Sequence, residues 1–121
     1  MKKWEKRLKG EQIRKRIEAG ETVVNKEPGN SMVPLLRSRQ AVELRKPDRP
    51  IRKGDIVYVK VRGRFYTHLV VAIGQDGRYL IGNNHGGING WTRDIVALAT
   101  PVQSKSEAKR KEVQRAESHG S

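Results

Sequence analysis

The residues best placed to do chemistry are a serine and a histidine. Ser31 stands in the run Gly29-Asn30-Ser31-Met32-Val33-Pro34, after a glycine-containing turn and three residues before a proline. A tight turn of this kind can expose a hydroxyl and aim neighbouring backbone N–H groups at one point, as an oxyanion hole requires. A serine hydroxyl is a weak nucleophile until a base takes its proton. His68, in the run Tyr66-Thr67-His68-Leu69-Val70, is the candidate base: a strand would fix its direction, and an unperturbed imidazole titrates at roughly pH 6.5. Asp94, the first carboxylate after the Gly82-Asn83-Asn84 segment, is the acid that could stand behind such a histidine. The chemistry implied is acyl transfer, with Ser31 attacking a carbonyl, His68 taking and returning the proton and backbone N–H groups near Asn30 and Ser31 holding the oxyanion.

The elements needed to position these groups are β-strands. From Glu21 the pattern is one of short β-rich runs punctuated by Gly, Pro and Asp, which predicts a small β domain. Ala41 to Arg45 alternates and is broken by Pro47-Asp48-Arg49-Pro50. Asp55 to Arg62 follows a Lys53-Gly54 turn, and Arg64 to Ile73 forms a third strand. Gly74-Gln75-Asp76-Gly77 turns it into a hairpin with Arg78 to Ile81. Asp94 to Thr100 closes the domain, and the intervening Gly82-Asn83-Asn84-His85-Gly86-Gly87 reads as a loop, with Trp91 just after it as a packing anchor.

The order of the segments is as informative as their composition. Gly29-x-Ser31-Met32-x-Pro34, then Gly54-Asp55-Ile56-Val57, then Tyr66-Thr67-His68-Leu69-Val70-Val71, then Gly82-Asn83-Asn84 resembles the superfamily of type I signal peptidases and LexA-type self-cleaving repressors. The resemblance spans about residues 28–100. It implies a coiled β-sheet fold, Ser31 as the acylating nucleophile and its own N–H as an oxyanion donor, with Met32 and Pro34 shaping the turn. The histidine in the third box is similar to the archaeal and endoplasmic-reticulum branch, with Leu69 in place of that branch's arginine. Asn83 stands where that branch's Gly-Asp-Asn-Asn segment has its acid, so Asn83 and Asn84 are read as loop support and Asp94 as the substitute acid.

Ahead of the β domain, residues 1–20 carry eight basic and three acidic residues, with Trp4, Leu8, Ile13 and Ile17 at spacings of four, five and four. This is an imperfect amphipathic helix. It is broken near Gly10, stopped at Gly20, and supported by Glu5 with Lys9 and Glu11 with Lys15. Lys2, Lys3, Lys6, Arg7, Arg14, Lys15 and Arg16 make it a basic arm that could hold nucleic acid or an acidic protein. Residues 104–121 offer Val113 as their one sizeable apolar side chain and are expected to be disordered or transiently helical. The three segments are thus a helical arm (1–20), a peptidase-like β domain (21–103) and a tail (104–121).

Composition narrows the alternatives. The 121-residue chain carries 26 Lys and Arg against 13 Asp and Glu, a formal charge of +13 that favours anionic partners through a salt-sensitive attraction. With no cysteine there is no thiol nucleophile or disulfide framework, and three scattered histidines give no metal-ligand spacing, so neither a metal nor an organic cofactor is expected. No apolar run is long enough to span a bilayer, which points to a cytoplasmic protein. Two functions follow: a soluble serine endopeptidase acting on a protein or peptide substrate, or a catalytically degenerate version of the same fold serving as a basic binding module. Exposed strand edges would permit a homodimer.

Overall fold

The computed structural model describes residues 9–26, 32, 35–36 and 40–102. It is mainly β: one short helix, α1 (Gly10–Glu18), precedes seven strands, β1 (Val23–Lys26), β2 (Ala41–Arg45), β3 (Ile56–Val61), β4 (Arg64–Ile73), β5 (Tyr79–Gly82), β6 (Ile88–Thr92) and β7 (Ile95–Pro101). All seven form one antiparallel sheet in the order β1-β2-β7-β3-β4-β5-β6. The central strands β2, β3, β4 and β7 coincide within a residue or two with the β-rich runs of the sequence. The structure adds β1 and β6, the two edge strands.

Strand alternation builds a core on each face. Along β3, Val57, Val59 and Val61 join Val70, Ile81 and Leu98 on one side, while Tyr58 joins Val42, Leu44, Ala97 and Met32 on the other. α1 lies on the second side, where Ile13 and Ile17 are buried in that same cluster. Full burial of each is worth about 1.5–3 kcal/mol, which ties the helix to the β domain.

The rest of α1 is held electrostatically. Glu11 reaches Arg14 at 3.0 Å and Lys60 of β3 at 2.7 Å instead of the Lys15 that the i,i+4 spacing suggested. The Arg14 guanidinium and the Lys60 ammonium both lie over the Phe65 ring, 5.5 and 5.3 Å from its centroid. The helix begins at Gly10, where a Cβ would collide with the Phe65 ring. It ends as expected at Gly20, whose N–H donates to Ile17 C=O at 2.9 Å while Glu21 N–H donates to Arg16 C=O at 3.0 Å.

The sheet is open but strongly curled. Between β3 and β4 the two-residue turn Arg62-Gly63 has φ of 51° and 81°, the primed geometry that matches strand twist. At the far end β6 swings round toward β3, so that Thr92 Oγ1 donates to Lys60 C=O at 2.8 Å and Lys60 N–H donates to Asp94 C=O at 3.1 Å. Gly90 sits at this closure. A Cβ there would lie 3.3 Å from both Arg62 Nε and Val61 Cγ1, and its φ of 135° is open only to glycine.

Candidate functional site

His68 projects from β4 opposite Val57 of β3, on the face shared with Tyr66 and Val70. It is buried, and its ring stacks on Tyr66 with centroids 5.0 Å apart and planes 23° from parallel. The Gly54-Asp55-Ile56-Val57 box sets this strand in register. Gly54 N–H donates to Val70 C=O at 2.8 Å, and Val70 N–H donates to Asp55 C=O at 2.9 Å, two residues beyond the histidine. The Asp55 carboxylate accepts the Arg52 N–H at 2.7 Å and both arms of the Arg49 guanidinium at 2.9 and 3.0 Å. These contacts fix the loop that delivers β3. The Arg49 guanidinium also holds the Asp55 carboxyl below the ordinary carboxylate range.

The partner of the imidazole is Asn89. Its Oδ1 lies 2.7 Å from His68 Nδ1. An amide oxygen can only accept, so this contact places the proton on Nδ1 and leaves Nε2 as the basic nitrogen, the tautomer a general base needs. Two features let a β6 residue reach one on β4 across β5. The β4–β5 ladder stops at Leu69↔Gly82, so no β5 partner lies opposite His68. The β5–β6 register then slips, with Ile81 opposite Gly90 and Gly82 opposite Ile88, leaving Asn89 as the extra residue of a bulge. Bulges re-aim side chains in this way.

The expected acid is elsewhere. Both carboxylate oxygens of Asp94 meet the Arg14 guanidinium at 2.7 Å, a bidentate pair between the β6–β7 turn and α1. Arg14 holds the Asp94 carboxyl below its usual range, and Arg14 itself is pushed further up. Asp94 is therefore a structural clamp, not the residue behind His68. Arg14 correspondingly leaves the set of arm residues available to a partner, because its charge is spent within the molecule. Arg16 pairs with Glu21 at 3.0 Å, and Lys15 lies in the last turn of α1, where a cation suits the helix dipole.

Asn83 does not stand in for the acid either. Its Oδ1 accepts the His85 N–H at 2.8 Å and the Gly87 N–H at 2.9 Å, which organises the β5–β6 loop. Asn83 and Asn84 also line, with Lys53, Leu69, Val71 and Ile88, a groove of about 310 Å³ beside that loop. Trp91 is not a buried anchor: it remains 43% exposed, with the Arg78 guanidinium 5.7 Å from its ring centroid. Met32 is buried in the core beneath α1, and its C=O accepts the Leu36 N–H at 2.8 Å, so its part in the serine box is packing. Asn30, Ser31 and Pro34, with Lys2, Lys3, Lys6 and Arg7 of the arm and the 104–121 tail, lie outside the described residues.

Among the described residues no three His, Asp or Glu side chains group as metal ligands, and no helix is long and apolar enough to cross a membrane. No protein-family profile, curated protein or solved structure matches the chain.

Proposed function

We propose that this is a serine endopeptidase of the signal-peptidase and LexA type, in which Ser31 is the nucleophile, His68 the general base and Asn89 the residue that orients the base. The observation that carries this reading is the 2.7 Å contact between His68 Nδ1 and Asn89 Oδ1. A buried imidazole oriented through Nδ1 by an acceptor is the form in which histidine serves as a base, and the serine box Gly29-x-Ser31-Met32-x-Pro34 is the source of the hydroxyl. Histidine held by an asparagine amide is a working alternative to histidine held by a carboxylate, as in papain-like peptidases. Ser31 attacks the peptide carbonyl as His68 Nε2 takes its proton. The same nitrogen then protonates the leaving amine, and water enters by the reverse route.

The test is labelling with a fluorophosphonate, which phosphonylates activated serine hydroxyls, combined with cleavage of a peptide library read by mass spectrometry. Wild-type protein is labelled at Ser31 and cuts peptides; Ser31→Ala and His68→Ala, shown folded by circular dichroism, do neither. Peptide cleavage that survives Ser31→Ala, or a folded wild type inert in both assays, overturns the assignment.

A further inference from the structure

Asn89 is followed by Gly90, the one Asn-Gly step in the chain. We propose that Asn89 is a self-modifying residue: assisted by His68, its carboxamide converts to a carboxylate, and the product is a stronger partner for the base. The consequence for the base rests on the peptidase reading above; the conversion itself does not.

Three features of the site converge on this reaction. A successor with no side chain puts nothing in the way of an approach by the Gly90 amide nitrogen to Asn89 Cγ, and Gly90 is held as glycine by its φ of 135° and by Arg62 and Val61, which a Cβ there would crowd. Asn89 is the bulged, out-of-register residue of the edge strand β6, so the ladder does not dictate where its side chain points and the carboxamide is turned toward His68. Most telling, the oxygen that gains negative charge when Cγ is attacked is Asn89 Oδ1, and the His68 Nδ1 proton is aimed at it from 2.7 Å. The hydrogen bond that orients the base is at the same time an oxyanion donor to its own partner.

The step balances without a cofactor. The Gly90 nitrogen bonds to Asn89 Cγ, closing a cyclic imide; the Cγ–Nδ2 bond breaks, and ammonia leaves with the proton that the Gly90 nitrogen gives up. Water then opens the imide. Opening at Cγ yields an ordinary aspartate, and opening at the main-chain carbonyl yields the isoaspartyl linkage, each with release of one proton. Nothing is oxidised or reduced. The aspartate product puts a full negative charge beside the imidazole, where it favours the imidazolium that forms during acyl transfer.

The experiment follows freshly purified, folded wild-type protein in mildly alkaline buffer made with heavy-oxygen water. Peptide mass mapping reads the amide-to-acid mass change and the incorporated label at residue 89. We expect conversion at least as fast as in a synthetic peptide of the same local sequence, and about tenfold slower in His68→Ala, which lacks the oxyanion donor. An amide that persists in the folded protein while the free peptide converts overturns the proposal, as does a rate indifferent to His68. Encoded Asn89→Asp, the finished product, is expected to raise fluorophosphonate labelling of Ser31 by about tenfold or more. Conversion at Asn89 with no labelling of Ser31 in any variant overturns the peptidase reading while leaving the modification established by mass.

Discussion

Asn89 is the hydrogen-bond partner of His68, and in the proposed site its replacement tests whether it orients the base. Asn89→Leu keeps comparable volume but offers His68 no acceptor, so the ring is free to take the wrong tautomer and the buried Nδ1–H is left unpaired. Labelling of Ser31 should fall by about 10²-fold or more, and thermal stability by about 1–3 kcal/mol. Asn89→Asp should restore stability and carry labelling above the wild-type level, a gain that a purely structural acceptor at position 89 does not produce. Nothing in the sequence marks this residue, for a physical reason. Alternation places side chains by parity, and the extra residue at the β5–β6 bulge breaks the parity at Asn89 itself. Asp94 is the first acid after the Asn83 segment, but charge complementarity with Arg14, distant in sequence, decides its partner.

At the scale of elements, α1 is the piece whose role the structure changes most. The basic, amphipathic character of residues 1–20 is plain in the sequence, as is the stop at Gly20. Whether the Ile13 and Ile17 stripe meets a partner or the chain's own sheet depends on what the folded sheet leaves uncovered, and that surface exists only after folding. Ile17 is 1% exposed, so Ile17→Ala should cost about 2–5 kcal/mol in urea unfolding. Gly10→Ala must push Phe65 aside and should cost about 1–3 kcal/mol, an effect well beyond anything helix propensity could cause, since alanine is the better helix former. If instead Gly10→Ala stabilises, the close seating of α1 on Phe65 is wrong. The edge strands β1 and β6 were missed for a related reason: Val23–Lys26 is short, and Ile88–Thr92 carries Asn, Gly and Trp, a composition that becomes a strand only because β5 supplies a ladder for it.

For the whole molecule, a chain of formal charge +13 is held together by scarce acids, and those that pair tightly set its response to pH. Asp94 and Asp55 have carboxyl groups lowered by Arg14 and Arg49 respectively. Because the folded form binds their protons less readily than the unfolded chain, the stability they contribute is present in full above the unfolded value of about 3.9. It is lost as pH falls through the lower folded value. Asp94→Asn should therefore flatten the loss of stability between about pH 5 and pH 2 while costing about 1 kcal/mol at neutral pH, a modest figure because the Asp94 side chain is 41% exposed. Equilibrium denaturation at a series of pH values checks both parts, and an acid limb identical to wild type rules out the Arg14–Asp94 clamp as a contributor.

By itself the sequence determined what is local: strand-forming runs of β-branched residues, turns at Gly and Pro, the helix stop at Gly20, the basic balance, and a histidine carried on a strand. These are legible because propensity and periodicity act over a few residues. Tertiary structure alone decided which side chains meet across distance. The curl of the sheet brings β6 round to β3, the β4–β5 ladder ends one residue short of His68, and a single bulge turns Asn89 toward it. A contact between positions 68 and 89, or between 14 and 94, is fixed by sheet twist, register and charge pairing acting together, and none of these is a property of either residue's neighbourhood in the chain.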